Sequence, residues 1–442
     1  MRLIAVWAAK LSLLLIKLSG KKGTVLPGRV ALKICPDILK ILSRQVGREI
    51  VSVCGTNGKT TTNNLIKSIL EKAGYSVVCN SLGANMTDGI TTAFLMKTNL
   101  FGRLKADYAA IEIDEAYAQI VFSHFTPDKL IIINLFRDQL DRYGELDTTI
   151  QLLESAIKKA GNTTLILNAD DPVTFSLKCN KTEVCCFGVD DNLNMKADRT
   201  KEGRFCRFCG NELSYDYYYY SQLGIYKCEA CGFGRVPPEF SATDICLEDG
   251  IEFFIQKNRI KTNIKGFYNI YNMLAAFSAC SLMNIDKNII IDELANQKLQ
   301  LGRMEEFKIL GKKIILNLAK NPTGFNQSIE SLLSDTKTKD VMLVINDNDA
   351  DGNDVSWLWD VDFERLYDPR ILSCYTGGIR SQDMAIRLKY ADIKQIIMGE
   401  NLKPDIERLI KDKGETAYII SNYTALFNVQ KILKSLEENH EI

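Results

Sequence analysis

The chain has 442 residues, 46% of them hydrophobic, which is enough for two or three domains with buried cores. Its 55 basic and 55 acidic residues cancel, so no overall field favours nucleic acid and an anionic ligand must be held by local groups. Only two histidines occur, His124 and His440, and neither has metal-ligand or triad spacing. Catalysis by a resident histidine base is therefore not expected. Thirteen scattered cysteines without a cleavable signal sequence favour a reducing cytoplasm over a disulfide framework.

The first 20 residues are apolar but are interrupted by Lys10 and Lys17. The segment is too short and too charged to span a bilayer. Two interpretations remain open: an amphipathic helix packed on the protein, or a helix lying on a membrane surface. The second interpretation fits a lipid-linked substrate. With such a substrate, we expect a cytoplasmic protein that associates peripherally with the inner face of the membrane.

From about residue 50, apolar β-rich runs alternate with helical patterns. The predicted strands cover residues 50–53, 75–79, 108–113, 129–134 and 164–167. This rhythm predicts a parallel sheet covered by helices. The pattern breaks near residue 190, which indicates an insertion, and β-like alternation returns at 251–255 before a predicted helix at 271–283.

A second α/β series follows, with predicted strands at 313–316, 341–345, 371–375, 395–398 and 417–420. We place a domain boundary near residue 302. The chain thus divides into an N-terminal helical segment (1–45), a central domain (46–301) and a C-terminal Rossmann-like α/β domain (302–442).

One glycine-containing segment lies between an apolar strand and a predicted helix, and it consists of Gly55, Thr56, Asn57, Gly58, Lys59, Thr60 and Thr61. Glycines let backbone amides approach phosphate oxygens, and a helix N-terminus adds positive potential. Lys59 can neutralise the β- and γ-phosphates, and the Thr60 hydroxyl can bind Mg²⁺. The first glycine of the general P-loop pattern falls at Val53, so the segment is a shorter variant. A plain glycine turn is the alternative.

Two C-x-x-C pairs stand eighteen residues apart, formed by Cys206 with Cys209 and Cys228 with Cys231. Four thiolates at this spacing suit a tetrahedral Zn²⁺. A site closed by four sulfurs leaves no open position for substrate. We therefore predict a structural zinc ribbon at about residues 200–235, with chance spacing among thirteen cysteines as the alternative.

The phosphate-loop residues resemble those of the Mur ligase family, and further matches follow in the order of that family. They are Asn168-Ala169-Asp170-Asp171-Pro172, the adenine-contacting helix start with Asn269 and Asn272, and the hinge arginine Arg303. The resemblance implies that ATP is bound by the loop together with Asn269, Asn272, Arg303 and Lys320. By position, Glu112 is the second Mg²⁺ ligand beside Thr60, and a solvated strand end is the alternative for its acidic cluster.

The family resemblance also implies a reaction. A substrate carboxylate attacks the γ-phosphate of ATP, and an amine then displaces the resulting acyl phosphate. Such a transfer needs in-line positioning and charge neutralisation, which Lys59, Thr60 and Glu112 would supply.

Some features depart from the peptidoglycan-building members of the family. Only about 50 residues precede the loop, too few for their UDP-binding domain, so a soluble UDP-sugar substrate is disfavoured. Asp138-Gln139-Leu140-Asp141-Arg142 replaces their histidine-containing segment. Their carbamylated lysine is not found, and Glu154 is a candidate to replace it.

The ribbon, the missing UDP domain and segments such as Asp354-Val355-Ser356-Trp357 resemble the MurT branch of the family, the ligase subunits of lipid II isoglutaminyl synthases. This resemblance implies amidation of D-glutamate in lipid II at the membrane surface. Ammonia would come from a GatD-like glutaminase subunit in a heterodimer. The same resemblance implies that Asp354 belongs to the glutaminase site, across the interface between the two subunits.

Four alternatives are kept. Asp347-Asn348-Asp349-Ala350-Asp351-Gly352 partly fits a calcium loop but lacks the closing glutamate. A stand-alone Mur-type ligase would join a free amino acid to a carboxylate. A zinc-ribbon ATPase would bind nucleic acid, but residues 200–240 are not strongly basic, so no nucleic-acid partner is expected. A non-catalytic protein with a relic loop is opposed by Lys59, Thr60, Arg303 and Lys320.

Overall fold

The computed structural model describes residues 1–18, 23–81, 83–138, 146–178, 182–193, 203–248, 250–297 and 303–440. The helices, numbered in chain order, are α1 (Arg2–Leu18), α2 (Leu26–Ile34), α3 (Ile38–Ser43), α4 (Lys59–Lys72), α5 (Thr87–Met96), α6 (Ala118–Val121), α7 (Leu146–Ala160), α8 (Pro172–Phe175), α9 (Tyr268–Leu282), α10 (Lys287–Ala295), α11 (Pro322–Ser334), α12 (Ser381–Tyr390), α13 (Leu402–Lys411) and α14 (Tyr423–His440).

The strands are β1 (Ile50–Cys54), β2 (Val77–Cys79), β3 (Tyr108–Glu112), β4 (Lys129–Ile132), β5 (Thr164–Asn168), β6 (Val184–Val189), β7 (Ser214–Tyr220), β8 (Leu223–Lys227), β9 (Phe240–Cys246), β10 (Ile251–Ile255), β11 (Asn258–Thr262), β12 (Glu305–Ile309), β13 (Lys312–Leu318), β14 (Lys339–Val344), β15 (Ile371–Gly377), β16 (Ile396–Met398) and β17 (Thr416–Ser421).

A nine-stranded sheet has the order β11-β10-β9-β6-β5-β4-β1-β3-β2. Its pairs from β2 to β9 are parallel, whereas β9–β10 and β10–β11 are antiparallel. The predicted strands between residues 50 and 167 pair in parallel, which confirms the prediction of a parallel sheet, and the antiparallel edge lies after the insertion, where only β-like alternation is predicted. Ile255 pairs with Asn258, so only Gln256 and Lys257 join β10 to β11, and both have positive φ. A two-residue hairpin of this kind can connect only antiparallel strands.

Each face of this sheet carries its own apolar core, because successive side chains of a strand point to opposite faces. Val51 and Val53 of β1 face α4 and α9, whereas Ile50 and Cys54 face the other side, where the N-terminal helices and α7 pack. All five residues of β1 are buried, as expected for a strand in a parallel sheet that is covered on both faces. The N-terminal helices thus share one core with the sheet.

A second, six-stranded sheet has the order β12-β13-β17-β14-β15-β16, and only the β12–β13 pair is antiparallel. Cores lie on both of its faces. Strands β7 and β8 form a separate two-stranded ribbon. Within the described part of the chain, no helix is both long and apolar enough to cross a bilayer.

Candidate nucleotide and metal-binding sites

The loop predicted to bind phosphate, residues 55–61, leaves the carboxyl end of β1 and enters α4. In the sheet, β1 lies between β3 and β4. The next two strands in sequence, β2 and β3, lie on one side of β1, whereas β4, β5 and β6 lie on the other side. The order of the strands in the sheet therefore reverses direction at β1. Open α/β sheets bind ligands outside the carboxyl ends of their strands at such a reversal. The loop therefore lies where the topology opens a crevice.

The two glycines of the loop are required by its backbone path. Gly55 has φ 136° and Gly58 has φ 89°, which are conformations that favour glycine. A Cβ on Gly58 would also lie 2.0 Å from Oδ1 of Asn272, at the start of α9. A side chain at position 58 would thus push the loop away from α9.

Asn134, directly after β4, holds the loop backbone in place. Its Oδ1 accepts a hydrogen bond from the Asn57 amide (2.9 Å), and its Nδ2 donates to the Asn57 carbonyl (3.1 Å). The Asn134 carbonyl accepts the amide of Thr56 (3.0 Å). The apolar pattern predicts a strand that includes Asn134, whereas β4 ends at Ile132, and the role of Asn134 was not predicted because an amide after a strand has no distinctive spacing.

Lys59 is buried against the loop and an acidic side chain. Its Nζ donates to the Gly55 carbonyl (2.7 Å) and to Oε1 of Glu115 (2.9 Å), and the same carboxylate accepts the Gly55 amide (2.5 Å). Burial by itself lowers the pKa of Lys59, but Glu115, Asp114 and Glu112 outweigh it and raise the pKa above its ordinary value. Lys59 is therefore charged. Glu115 was not assigned from sequence, although it ends the acidic run that begins at Glu112.

Thr60 and Glu112, the predicted Mg²⁺ ligands, are adjacent. The Thr60 hydroxyl donates to Oε2 of Glu112 (2.8 Å), and Nδ2 of Asn85 donates to the other carboxylate oxygen (3.2 Å). Burial raises the pKa of Glu112, while Lys59, the bond from Thr60 and the charge of Arg303 act to lower it. Arg303 therefore acts electrostatically on the same site.

The start of α4 is suited to an anion. Its N-cap, Gly58, has no side-chain hydrogen bond, so the first amides of the helix receive no cap from that residue. The Thr61 hydroxyl is buried and makes no hydrogen bond within the described protein. A helix N-terminus without a side-chain cap, with an unpaired buried hydroxyl at Thr61 and a buried lysine beside it, favours a phosphate group. These residues fit the polyphosphate of a nucleotide.

The two asparagines of α9 adjoin this loop. Nδ2 of Asn272 donates to Oδ1 of Asn269 (3.0 Å), and Nδ2 of Asn269 donates to the Lys265 carbonyl (2.8 Å). Both side chains are buried. The bond between them fixes the amide of Asn272 beside Gly58.

Residues from beyond β13 reach the same loop. Nζ of Lys320 lies 2.7 Å from Oδ2 of Asp138, and Nδ2 of Asn321 donates to Oδ1 of Asn57 (3.1 Å). Arg137 pairs with Asp360 at 3.4 Å. The predicted segment that continues from Asp138 through residues 139–142, like residue 302 of the hinge, lies outside the described residues.

The four predicted zinc ligands cluster in the ribbon. Sγ atoms of Cys206 and Cys231 are 3.5 Å apart, those of Cys209 and Cys228 are 3.4 Å apart, and all four lie within 4.8 Å of one another. Tetrahedral Zn²⁺ with bonds of about 2.3 Å sets sulfurs about 3.8 Å apart, within this range. The donor set therefore fits zinc.

Two equivalent turns create this arrangement. The Gly210 amide donates to the Cys206 carbonyl (2.8 Å), and the Gly232 amide donates to the Cys228 carbonyl (2.9 Å). Both glycines have φ 75°. The side chain of Asn211 donates to Sγ of Cys209 and lowers the pKa of that thiol to about 6. A lowered thiol pKa favours the thiolate that a metal requires.

Arginines join the ribbon to the large sheet. Arg207 lies 3.6 Å from both Asp147 and Glu154 of α7. Glu154, proposed as a substitute for a carbamylated lysine, is thus engaged with the ribbon. Arg235 pairs with the buried Asp170 at 2.7 Å.

Asp354 precedes a short 3-10 helix (Ser356–Asp360). Its Oδ1 accepts the backbone amide of Ser356 (2.8 Å). This bond is the main cause of a lowered pKa for Asp354, and the nearby charge of Arg137 adds to it. Asp354 is therefore an ionised and partly exposed carboxylate.

Two family models match the chain. The Mur ligase middle domain covers residues 53–224, and the MurT ligase C-terminal model covers residues 318–426. Among solved structures, a pseudomurein peptide ligase type C from Methanothermus fervidus has a TM-score of 0.70 at 24% identity, over 90% of this chain and 80% of that chain. A Thermotoga maritima MurF ligase in complex with ADP has a TM-score of 0.64 at 17% identity, over 92% and 84%. Both likenesses show the Mur ligase fold.

Similar curated proteins are close over almost their full length. The MurT subunit of lipid II isoglutaminyl synthase (glutamine-hydrolyzing) from Staphylococcus aureus strain COL is 36% identical over 96% of this chain and 95% of that protein. The subunit of the same name from Streptococcus pneumoniae strain R6 is 35% identical over 94% and 93%. The chain therefore belongs to the Mur ligase family, in its branch of MurT subunits of lipid II isoglutaminyl synthase.

Proposed function

We propose that this chain is the ATP-dependent ligase subunit of a glutamine-hydrolysing amidotransferase. It converts the α-carboxylate of D-glutamate in the lipid II stem peptide to an amide, giving D-isoglutamine for peptidoglycan synthesis. The proposal rests on the family membership and on the cluster of a buried lysine, a hydroxyl and carboxylates at the start of α4. The protein is proposed to act in the cytoplasm, at the inner face of the membrane.

The nucleotide would be held mainly at the loop. Gly55, Thr56, Asn57 and Gly58 would form the backbone turn that surrounds the phosphates, Thr60 and Thr61 would approach them from the start of α4, and Lys59 would offer its charge. Asn269 and Asn272 would contact the base from α9, and Arg303 and Lys320 would approach the phosphates. Support for the last assignment comes from the 2.7 Å pair of Lys320 with Asp138 and the bond of Asn321 to Asn57.

Thr60 and Glu112 would hold Mg²⁺, which neutralises charge on the transferred phosphoryl group. The protein's own contribution is to fix these two oxygens together and to keep the buried Lys59 charged. Phosphoryl transfer to the substrate carboxylate gives an acyl phosphate and ADP. Ammonia then displaces phosphate, and the new carbon–nitrogen bond is formed.

We propose three regions in the chain: residues 1–45, 46–301 and 302–442. The large sheet and the zinc ribbon belong to the second region, and the six-stranded sheet belongs to the third. Lys320, Asn321 and Asp360 then reach the central region across a boundary near Arg303. A movement about this boundary would let substrate enter before Lys320 approaches the phosphates.

The partner is proposed to be a GatD-like glutaminase that releases ammonia from glutamine. Asp354 is a candidate third member of its catalytic group, because it is ionised and partly exposed. A cysteine–histidine pair in the partner would use this carboxylate to orient the imidazole. Zn²⁺ at Cys206, Cys209, Cys228 and Cys231 is proposed to be structural, since four thiolates leave no place for substrate.

The adjacency of Thr60, Glu112 and Lys59 at the topological reversal carries this proposal. The test incubates the purified chain with lipid II, ATP, Mg²⁺ and ammonium, without a partner, and analyses lipid II by mass spectrometry. The expected product is lighter by the difference between a hydroxyl and an amino group, and it requires ATP. A parallel incubation contains free amino acids in place of ammonium. If an amino acid is joined to the substrate there and ammonium is not used, the chain is a stand-alone ligase.

A further inference from the structure

The outer face of α1 is a large apolar surface that the rest of the described protein does not cover. Ala5, Val6 and Ala9 are buried on the inner face, as the packed-helix interpretation predicts. On the opposite side, large side chains are more than half exposed at Trp7, Leu11, Leu14, Leu15 and Leu18. Their spacing places them on one stripe of the helix.

A neighbouring loop continues this surface. Leu100 is 63% exposed and Phe101 is 73% exposed. The loop is fixed to α1, because the indole nitrogen of Trp7 donates to the Leu100 carbonyl (2.7 Å) and Lys10 donates to the Thr98 carbonyl (2.7 Å). The outer face of α1 and the tip of this loop therefore form one surface. Contiguous exposed patches of this kind on soluble proteins mark sites of interaction.

The segments that form the apolar surface are basic, although the whole chain is neutral. Residues 1–36 contain seven Lys or Arg and no Asp or Glu, and residues 96–106 contain three more and no acid. Lys97, Arg103 and Lys105 line a cleft beside the loop tip, and all three are exposed. Of the basic side chains in α2, Arg29 is neutralised by Asp88 at 2.8 Å. Among the described residues, Lys10 and Lys17 belong to α1 itself, and Lys97, Arg103 and Lys105 belong to the loop that continues its apolar surface.

We propose that the outer face of α1, together with the loop at Leu100 and Phe101, docks on an anionic lipid bilayer. Apolar side chains flanked by lysine and arginine, with a tryptophan among them, are the composition that binds at a membrane interface. Charge complementarity selects an anionic lipid surface over a neutral one, because each nearby basic residue adds attraction to anionic headgroups. The inference deepens the proposed function, since it rests on a lipid-linked substrate.

The docked orientation connects the membrane with the phosphate loop. Helix α5 begins just after Asn85, which donates to Glu112, and ends at Met96 beside the docking loop. Its 10 residues correspond to a length of about 15 Å. The reactive centre would therefore be held a fixed, short distance above the headgroups, where a lipid-linked peptide can reach it.

The test measures flotation of the full chain with vesicles of phosphatidylglycerol and phosphatidylcholine, and with vesicles of phosphatidylcholine alone, at low and high salt. We expect binding to the anionic vesicles that weakens with salt. Leu11→Glu with Leu15→Glu should reduce this binding roughly tenfold or more. Lys97→Gln with Arg103→Gln and Lys105→Gln should reduce it by a similar factor, without changing the apolar face.

A matched control replaces two exposed apolar residues elsewhere, Ile386→Glu with Phe427→Glu, and should bind vesicles like the original chain. ATP binding and thermal unfolding establish that each variant is folded. Wild-type protein that stays unbound, or Leu11 and Leu15 variants that bind equally well, would overturn the inference. The inference would also be overturned if the Leu11 and Leu15 variants still bound vesicles but no longer self-associated or no longer bound the glutaminase. These vesicles contain no substrate, so their result is independent of the proposed reaction, which detergent-solubilised lipid II tests separately.

Discussion

Nζ of Lys59 lies 2.9 Å from Oε1 of Glu115, and both side chains are about nine-tenths buried. The carboxylate also accepts the Gly55 amide, so it fixes the lysine against the loop that precedes α4. This buried ion pair thus stabilises both the backbone of the loop and the position of the charged Lys59 side chain. Removing either partner leaves the other charge buried and unpaired, which is strongly destabilising.

Lys59→Ala should therefore abolish ATP-dependent amidation and also lower stability. Loss of one such group typically reduces the rate by about a hundredfold to a thousandfold. The unpaired Glu115 should cost about 3–5 kcal/mol of unfolding free energy, measured by chemical denaturation. Adding Glu115→Gln should restore much of the stability but not the activity. Lys67→Ala, on the same helix, is the control because its pair with Glu71 is partly exposed to solvent. Normal turnover of Lys59→Ala with ammonium would refute the role of this loop.

Asp170 predicts a defined pH dependence of stability. Burial raises its pKa from 3.8 to about 6, although Arg235, the Val189 amide and Tyr271 act in the opposite direction. Because the folded pKa is above the unfolded value, the contribution to stability is fully present below pH 3.8 and is lost as the pH rises through about 6. The shift corresponds to about 3 kcal/mol.

The measurement compares unfolding free energies of the original chain and Asp170→Asn across this pH range. The variant should be less stable at neutral pH, because Arg235 loses a partner, but it should lack the extra loss of stability between the two pKa values. Asp244→Asn, an exposed carboxyl on β9, should keep the original profile. An unchanged profile in Asp170→Asn would show that its proton equilibrium is not altered by folding.

The ribbon should contain one zinc ion per chain. Elemental analysis of protein purified without chelators measures this directly. Cys206→Ser should lose the metal and increase hydrogen exchange in residues 203–236 more than it lowers ammonium-dependent activity, because the metal is structural. Cys246→Ser changes an exposed cysteine outside the cluster and should retain the metal. Protein that is metal-free when freshly purified and keeps an ordered ribbon would contradict the assignment.

Asp354→Asn should separate the two half-reactions. We expect a sharp loss of glutamine-driven amidation, with zinc content, ATP binding and assembly with the glutaminase unchanged. Added ammonium should restore product, since the ligase site does not use this carboxylate. Asp349→Asn, an exposed acid in the same loop, is the matched control. Failure of ammonium to restore product would assign Asp354 to the ligase site or to folding, and persistent glutamine-driven activity would make it a solvated carboxylate.

The buried parallel strands were predictable because their apolar runs are continuous. Predicted strands at 50–53, 164–167 and 417–420 fall within β1, β5 and β17. Strands β6 and β9 were not identified. Strand β9 follows the ribbon directly, and its buried and exposed residues alternate only weakly. Its apolar pattern is therefore hard to distinguish from that of the polar insertion. The antiparallel edge was not predicted because it depends on a hairpin turn at Gln256 and Lys257. Both residues have positive φ, but neither is a glycine, so the sequence does not indicate the turn.

The parts of the site that could be predicted are those in which the ligand restricts the residue types and their spacing. The phosphate loop and the four cysteines were identified because glycine, lysine and thiol spacings are restricted by their ligands. Glu115, Asn134 and Asn321 were not assigned, since carboxylates and amides are common and their role depends on contacts between distant segments. Asn321 reaches Asn57 across 264 positions of sequence, and no local pattern encodes such a contact.

The most direct test of the central claim follows oxygen from the substrate carboxylate. Lipid II with a heavy oxygen isotope in the α-carboxylate of D-glutamate is incubated with the chain, ATP, Mg²⁺ and ammonium, and the released phosphate is analysed by mass spectrometry. If the carboxylate attacks the γ-phosphate, displacement by ammonia leaves one heavy oxygen in inorganic phosphate. Amidated lipid II formed together with unlabelled phosphate would contradict activation of the carboxylate as an acyl phosphate.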